Sequence, residues 1–573
     1  MPSRPHPCSV VLALATALLL FAGCSVPSSR QTAPPGKPAR TGAEAADYSA
    51  SASRARTESH ARYAAAVLHE QNEEITLATA EYYKAASLDP SNENLVMEVT
   101  GRLLRFQPID KPGEKSEETR DKVIDLLKKA TARPEASGAL FARLGLVYSM
   151  AGRKDLAIEA NKTAIKKMPD TLSGYQYLAQ LHLQNGQTAE GLKVLDEAAR
   201  QPHPDVTFLI DLGETYTAFG RAGSMETVRP RALDALKRAA AQKPTNPVQL
   251  QRLADAFAAI GETDRAIEVY NQLLIRLPNL IPVRDRLVEL YLRKQDRTNA
   301  AVHLRAIIRE APTNPQTHYL LGSLLFEDRK SKEAAESFQK TVLLSPNFEP
   351  AYHDLAAAQM NSDQANQAIA TLEIARNRFK PNFVCEFYTA LAHSRLKDYT
   401  NALKFFTSAE IIARASATNR LTHTFYFQLG SAHERVHHFK EAEAAFRKAI
   451  DLSPDFAEAL NYLGYMWAER DENLAEARTM IERALKLEPK NAAFLDSLGW
   501  VLFKLGLPQE ALSHILKSIE LNDEPDATLY DHLGDIYAAL KKSEKAREAW
   551  QKSLSIEPNP KVEQKLKAGG ASR

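Results

Sequence analysis

The stretch LQRLADAFAAIGETDRAIEVYNQLLIRLP, residues 250–278, contains two helical apolar patterns on either side of Gly261. Apolar residues recur three or four positions apart in each half, at Leu253, Phe257 and Ile260 and then at Ile267, Tyr270 and Leu274. Ala254 and Ala266 place small side chains where the two backbones should approach. Pro278 ends the second half because proline lacks an N–H and its ring clashes with the preceding turn. The stretch therefore predicts two short antiparallel helices joined at Gly261.

The same pattern recurs along the chain at a spacing of 34 or 35 residues. The repeated positions are Pro244, Pro278, Pro312 and Pro346; Ala266, Ala300, Ala334, Ala368 and Ala402; and Gly430, Gly464, Gly499 and Gly534. A unit of this size cannot bury its apolar faces alone, so neighbouring units must stack to form a continuous core. We therefore expect about fourteen stacked units over residues 59–558.

This register resembles the tetratricopeptide repeat. The residues that fit it include Gly145, Tyr148, Gly152, Ala157, Ala164 and Pro169 in one unit and Gly534, Tyr537, Ala546, Trp550 and Pro558 in the last. The resemblance implies an all-α fold, a right-handed superhelical solenoid whose concave surface is lined by the first helix of each unit. Extra residues near 107–118, 221–229 and 413–420 predict longer loops between helices, and residues 559–573 predict a capping helix or tail.

The amino terminus has the layout of an export signal. Arg4 and His6 precede an uninterrupted apolar run over residues 10–22. A helix of that length reaches roughly 20 Å, whereas the hydrocarbon core of a bilayer is about 30 Å thick. The run is therefore too short to span a membrane comfortably, and it predicts a secretory signal.

Phe21-Ala22-Gly23-Cys24 resembles the lipobox of bacterial lipoproteins, although the family usually has leucine where this chain has Phe21. The resemblance implies a signal peptide over residues 1–23 and a lipid anchor on Cys24, with an ordinary cleaved signal as the alternative. Ser25 after the cysteine implies the outer membrane, with the protein facing the periplasm. Residues 24–58 are rich in Ser, Ala, Pro and Gly, and we expect a lipidated cysteine followed by a disordered linker.

Charge and cysteine content narrow the possible functions. The 73 Lys and Arg residues balance 71 Asp and Glu residues and are spread along the chain, so nothing favours a nucleic-acid partner. Of three cysteines, Cys8 lies in the predicted signal and Cys24 carries the predicted lipid, so Cys385 has no partner for a disulfide. Its apolar surroundings in the sequence predict a small buried side chain.

One motif raises the possibility of catalysis. HERVH, residues 433–437, matches the HExxH pattern, in which His433 and His437 would bind zinc and Glu434 would act as general base. In the repeat register, however, His437 falls where other units place the glycine of the turn, so the helix should end before the two imidazoles can converge. We therefore expect a packed or solvated histidine cluster with His438, and no catalytic residue, metal or cofactor.

A binding surface remains as the expected functional site. In the tetratricopeptide repeat family, ligands usually contact the exposed face of the first helices. Mapped onto the carboxy-terminal units, this face comprises Asn461, Tyr465, Asp496, Trp500, Phe503, Asp531 and Asp535. Aromatic residues flanked by polar groups are suitable anchors for a protein partner, and we expect the three aromatic residues to form one patch. The alternative is that Tyr465 and Trp500 only pack between neighbouring units.

Residues 491–521 and 532–550 resemble the last repeats of bacterial outer-membrane lipoproteins that act as adaptors for a periplasmic carboxy-terminal processing protease. This resemblance implies a membrane-anchored scaffold that binds a protein partner, such as that protease and its substrates. Two alternatives are a component of an envelope secretion, pilus or polysaccharide assembly machine, and a zinc metalloprotease that uses residues 433–437. The sequence does not identify the partner.

Overall fold

The computed structural model describes residues 42–105, 114–416 and 418–569. The predicted signal peptide, Cys24 and the first part of the predicted linker lie outside these residues. Within the described ranges, no helix combines the length and the apolar character that crossing a membrane requires.

The described residues form 29 α-helices and no β-strand. In chain order the helices are α1 (Gly42–Gln71), α2 (Ile75–Leu88), α3 (Glu93–Arg105), α4 (Glu114–Thr131), α5 (Gly138–Met150), α6 (Lys154–Lys167), α7 (Leu172–Gln184), α8 (Thr188–Ala199), α9 (Val206–Ala222), α10 (Met225–Ala241), α11 (Pro247–Ala259), α12 (Thr263–Arg276), α13 (Ile281–Arg293), α14 (Arg297–Glu310), α15 (Pro315–Glu327), α16 (Ser331–Leu344), α17 (Glu349–Asn361), α18 (Ala365–Arg378), α19 (Phe383–Arg395), α20 (Tyr399–Ser416), α21 (His423–Arg435), α22 (Phe439–Leu452), α23 (Ala457–Glu469), α24 (Leu474–Leu487), α25 (Ala492–Lys504), α26 (Pro508–Leu521), α27 (Ala527–Ala539), α28 (Ser543–Ile556) and α29 (Pro560–Gly569). A short 3₁₀ turn, Thr418–Arg420, follows α20.

Consecutive helices pack in pairs, from α1 with α2 to α27 with α28. Across the described ranges this gives fourteen helical hairpins, with α29 after the last one. The prediction of an all-α fold built from about fourteen helix-turn-helix units is therefore confirmed.

The hairpins belong to two compact units, residues 1–242 and residues 243–573. The core of the first includes Val96, Leu127 and Val147, which are buried between consecutive hairpins. The core of the second is a series of clusters along the stack, one of which contains Phe446 and Trp467. Apart from the last cluster, which joins one hairpin to α29, each cluster draws side chains from more than one hairpin, so a hairpin depends on its neighbours for burial.

The hairpin formed by α11 and α12 shows how the local sequence determines the unit. Asn246 begins α11 by accepting a hydrogen bond from the backbone N–H of Val248. Leu253 and Phe257 lie on its buried face. Gly261 adopts a φ of 81° in the turn, a left-handed conformation that glycine adopts without strain. The two predicted helices and the predicted turn are all present.

Small residues allow the two helices of a hairpin to approach closely. A Cβ atom on Gly534 would lie 2.4 Å from the Trp550 indole, and one on Gly464 would lie 2.9 Å from the backbone oxygen of Ala477. Both distances are shorter than van der Waals contact. Glycine at this position thus meets a steric requirement of the hairpins that contain it.

Two of the predicted long loops are helical. Helices α9 and α10 each have 17 residues and are separated by only Gly223 and Ser224, so the extra residues near 221–229 lengthen the hairpin. The extra residues near 413–420 lengthen α20 to 18 residues and form the 3₁₀ turn. The added segments bury Val228 and Ala413, which favours helix over an exposed loop. Of the third insertion, residues 107–113 lie outside the described residues.

The segments before the first hairpin and after the last one differ in how well their structure was predicted. Helix α1 begins at Gly42, so the prediction of a disordered linker is wrong for residues 42–58. This segment lacks large apolar residues but is rich in alanine, the residue with the highest helix propensity. The capping helix predicted after residue 558 is present as α29, whose Val562 packs against Ala546 and Trp550.

Candidate functional site

The seven predicted partner-binding residues lie on the first helices of the last three hairpins. Helix α23 carries Asn461 and Tyr465, α25 carries Asp496, Trp500 and Phe503, and α27 carries Asp531 and Asp535. We refer to these residues together as the carboxy-terminal column. Their roles in partner binding remain predictions, but their surroundings can be described.

An aromatic stack lies at the centre of the carboxy-terminal column. The indole of Trp500 stacks on the Phe503 ring, with ring centroids 5.1 Å apart, and on the imidazole of His532, with centroids 3.9 Å apart. The Tyr465 ring lies 6.4 Å from the same imidazole. The predicted aromatic patch therefore exists, but His532, which was not predicted, joins Tyr465 to Trp500.

His532 is buried and forms an ion pair with Asp496. Its Nδ1 lies 2.8 Å from a carboxylate oxygen of Asp496, and the side chain is 3% exposed. Burial disfavours the charged imidazolium, but the carboxylates of Asp496, Glu469 and Asp531 outweigh this effect and raise the pKa of His532. Asp496 therefore interacts with its own chain.

Asp531 and Asp535 both contact Lys565 on the capping helix. The Lys565 ammonium lies 2.8 Å from Asp531 and 2.6 Å from Asp535, and the indole N–H of Trp550 donates a 3.1 Å hydrogen bond to Asp535. Burial raises the pKa of Asp535, whereas contact with Lys565 lowers it. At its last hairpin, the two carboxylates of the column are thus paired with a lysine of α29.

The predicted exposure is wrong for two members of the column. Asn461 and Trp500 are each only 7% exposed. Trp500 is covered by the aromatic stack and by Lys504, whose ammonium lies 5.1 Å above the indole. The alternative reading, in which Trp500 packs between neighbouring hairpins, fits this geometry. The Asn461 Oδ1 and Trp500 Nε1 atoms are buried without a hydrogen-bond partner among the described residues.

The HExxH pattern does not lie on a continuous helix. Helix α21 ends at Arg435, and His437 has a φ of 61° in the following turn, as the repeat register predicts. The His433 and His438 rings instead lie side by side, with centroids 5.8 Å apart. Within the described residues, no group of three His, Cys, Asp or Glu side chains is arranged to hold a metal ion.

Cys385 is a buried side chain, as predicted. It is 3% exposed within α19, and its thiol donates a weak hydrogen bond to the Leu372 carbonyl at 3.5 Å. Burial raises the pKa of the thiol to about 11, which keeps it protonated at neutral pH. A protonated thiol is a poor nucleophile, so this site does not suit covalent catalysis.

A second candidate site lies beside the lengthened helix α20. An open cleft of about 310 Å³ is lined by residues of α17, the segment that leads into α19, the end of α20 and the 3₁₀ turn. Its lining includes Glu349, His353, Asn382, Phe383, Ile412 and Arg420. We call it the insertion cleft. Sequence reasoning missed it, although the extra residues near 413–420 signalled an irregularity there.

The architecture and these sites define a class of protein, the helical-hairpin repeat scaffolds. Comparison with protein families then gives the family. Models described as tetratricopeptide repeat match residues 249–280, 286–347, 427–478, 468–524 and 527–560. These parts of the chain match the tetratricopeptide repeat.

Similar proteins share parts of the chain. A TPR repeat-containing protein of Pseudomonas aeruginosa is 26% identical over 218 residues, which are 38% of this chain and 36% of that protein. The type IV pilus assembly protein PilF of the same species is 26% identical over 136 residues, 23% of this chain and 53% of PilF. The chain thus spans about a third and about half of these relatives. A crystal structure of a tetratricopeptide repeat protein from Parabacteroides merdae matches 45% of this chain and 98% of its own, with 17% identity and a TM-score of 0.36.

The burial of Trp500 predicts that its removal lowers stability. We expect Trp500→Ala to reduce the free energy of unfolding by about 3–5 kcal/mol, because it deletes a large buried ring. Trp500→Phe is the matched control and should lose much less, since the indole N–H has no hydrogen-bond partner among the described residues. Thermal denaturation followed by circular dichroism measures both. An unchanged melting temperature in Trp500→Ala, together with loss of partner capture, would favour the anchor role instead.

The His532–Asp496 pair predicts a pH-dependent stability. Because folding raises the pKa of His532, its contribution is fully present below the unfolded value of about 6.5 and is lost as pH rises through the folded value. The difference in melting temperature between wild type and His532→Gln should therefore be largest below pH 6 and shrink towards alkaline pH. Asp496→Asn should remove the same dependence. A difference that does not vary with pH would mean that folding leaves the pKa of His532 unchanged.

Proposed function

We propose that the protein is a membrane-tethered scaffold of the bacterial cell envelope that binds a protein partner in the periplasm. The observation that carries the proposal is the position of Cys24. It ends a lipobox-like segment and lies shortly before a chain of fourteen hairpins within the described residues. Lipid attachment at this position would anchor the whole repeat stack at the amino terminus. The outer membrane and its periplasmic face are the expected location.

The scaffold role rests on the family and on the chemistry of the sites. Tetratricopeptide repeat proteins bind protein partners. A stack of hairpins presents a large surface and contains few flexible loops that would have to be ordered on binding. Cys385 is protonated and buried, and the two imidazoles of the HExxH pattern lie on different structural segments. Binding therefore accounts for the described residues better than hydrolysis through His433, Glu434 and His437.

Within this role, we propose that the scaffold is an adaptor that brings a soluble client to a periplasmic protein, such as a processing protease. The support is the resemblance of the last repeats to lipoprotein adaptors of carboxy-terminal processing proteases. The second candidate is a component of an envelope assembly machine. The similarity to a type IV pilus assembly protein, PilF, favours that candidate, although it covers only 23% of this chain.

Crosslinking in intact cells distinguishes the candidates. Purification of the crosslinked protein followed by mass spectrometry should identify a small set of envelope proteins that wild type captures and a mislocalised Cys24→Ser variant does not. A protease and its substrates would support the adaptor, whereas several structural proteins in fixed proportions would support an assembly machine. Capture of no envelope protein above the level of the variant would contradict the scaffold function.

Cys24 should control lipid attachment. We expect Cys24→Ser to abolish incorporation of a radiolabelled fatty acid and to leave the precursor uncleaved, because the thiol is the acceptor of the lipid in the lipobox family. The Cys385→Ser variant is the matched control, and it should retain the label. Gel electrophoresis and autoradiography of both variants measure the outcome. Unchanged labelling of Cys24→Ser would show that the lipid assignment is wrong.

A further inference from the structure

The first hairpin leaves one side of α1 uncovered. In later hairpins, the corresponding side of the first helix packs into the hairpin before it. Leu181 of α7, for example, belongs to the same apolar cluster as Val147 of α5 and is 3% exposed. Leu68 holds this place in α1, two residues after the buried Ala66, just as Leu181 follows Ala179. Leu68 is 60% exposed, because no hairpin precedes it among the described residues.

Leu68 belongs to a row of exposed residues along α1. Arg54, Ala61 and Leu68 are seven positions apart and lie on one side of the helix, since seven residues make nearly two turns. Thr57 and Ala64 lie between them, and all five side chains are exposed. We call these five residues the α1 stripe. The opposite side of the helix packs against α2.

The centre of the α1 stripe suits contact with another helix. Ala61 and Ala64 carry only a methyl group, so a second helix can approach the α1 backbone closely. Leu68 adds a large apolar side chain next to them. A single exposed leucine is common on protein surfaces, but the equivalent residues Leu290 of α13 and Val501 of α25 are buried. The position of Leu68 is therefore one that a neighbouring helix normally covers.

The two ends of the α1 stripe carry opposite charges. Arg54 lies at the amino-terminal end and is exposed. At the other end, the turn after α1 contains Glu73, which is exposed, and Glu74, whose carboxylate lies 2.6 Å from Nδ1 of His69. The carboxyl end of a helix carries a partial negative charge as well. The surface thus changes along α1 from positive, through apolar, to negative.

This order of charges fits a second copy of the same helix in the antiparallel direction. A two-fold axis that passes between Ala61 and Ala64 places Arg54 of each copy beside the carboxyl end of the other α1 and its glutamates. The same axis places Leu68 of each copy against Thr57 of the other, because the two residues are equally far from the axis in sequence. A parallel pair would place two Arg54 side chains together, where like charges repel.

We propose that the protein forms an antiparallel two-fold dimer through the α1 stripe, with a second copy of this chain as the occupant of that surface. A head-to-tail contact fits less well, because α29 covers the last hairpin. The dimer goes beyond the proposed scaffold function and does not depend on it, since it needs no other protein.

The size of the contact sets the expected affinity. One pair of helices buries less surface than the roughly 1,200–2,000 Å² of a stable protein interface, so we expect a dissociation constant of about 1–100 μM. The proposed lipid anchor at Cys24 would hold copies at one membrane and so raise their effective concentration.

Analytical ultracentrifugation of the chain without signal and lipid, residues 25–573, measures the association. Leu68→Glu should weaken the dimer at least about tenfold, because a charge replaces the large apolar side chain of the stripe. Leu77→Glu is the matched control, since Leu77 is a 51% exposed leucine on α2, outside the stripe, and it should dimerise like wild type. Both leucines are exposed, so melting temperatures should stay near that of wild type.

Exchange of charges tests the pairing of the two ends. Arg54→Glu and Glu73→Lys should each weaken the dimer, and the double variant should restore it, because the opposite charges then face each other again. Lysine suits the left-handed conformation of residue 73, as Lys397 and Lys541 adopt it in equivalent turns. A double variant that is weaker than either single variant would contradict the pairing.

A thiol-specific crosslinker of short span tests the direction of the helices. Cys385 is buried, so Thr57→Cys and Leu68→Cys each add one accessible thiol to residues 25–573. A mixture of the two variants should give a crosslinked heterodimer. Neither variant should crosslink with itself, because identical residues lie about 16 Å apart along the helices in the antiparallel arrangement.

Four results would overturn the dimer. They are a monomer at about 100 μM, well above the expected dissociation constant, equal association of Leu68→Glu and wild type, crosslinking of Leu68→Cys only with itself, and resistance of the Leu68→Cys thiol to alkylation in a monomer. The last result would show that another part of the same chain covers the α1 stripe.

Discussion

The structure depends on the close contact between the two helices of each hairpin. At Gly464 and Gly534 the partner helix lies so near that even a methyl group would collide with backbone or with an indole. Where the small position holds alanine, as at Ala254, the residue is fully buried. The apolar face of a hairpin is in turn covered by its neighbour in the chain, which is the next hairpin or, after α28, the single helix α29. A change at one small position therefore affects the packing of two neighbouring units.

Polar groups inside the last hairpins are mostly satisfied by the chain itself. Asp496 pairs with His532, and Asp531 and Asp535 share the ammonium of Lys565. Each of these contacts joins residues about one repeat apart in the sequence. They provide directional links between hairpins, in addition to non-directional apolar burial. The same contacts reduce the number of groups that the carboxy-terminal column can offer to a partner. The central hairpins are therefore the other place to look for a binding surface.

The predictable part of this molecule is the part that repeats. The spacing of Ala266, Gly261 and Pro278 determines a hairpin locally, so the number and type of units could be predicted from periodicity alone. The burial of Trp500 could not be predicted in this way, because it depends on His532 of the following hairpin. His532 does not lie at one of the repeated small or apolar positions. The insertions were recognised, but their conformation was not, since an extra segment can form either a loop or additional helical turns. The choice depends on whether a residue such as Ala413 finds an apolar neighbour.

The predicted boundary between the linker and the repeats was wrong for a related reason. Low content of large apolar residues shows that a segment cannot form a core, but it does not prevent an alanine-rich segment from being helical when a neighbouring helix continues from it. The insertion cleft could not be predicted from the sequence, because Arg420 and His353 are 67 positions apart and only the path of α20 in space brings them to one site.

Helix α29 has a consequence for how molecules of this protein meet one another. A row of similar units is an open-ended architecture, and its final unit presents the same kind of face that every earlier unit uses to receive a successor. Without a cover, the face around Ala546 and Trp550 could receive a hairpin from another molecule, and head-to-tail association of this kind has no natural end. Val562 fills that face, and Lys565 attaches the cover to two carboxylates. Helix α29 thus occupies the face of α28 on which a further hairpin would otherwise pack.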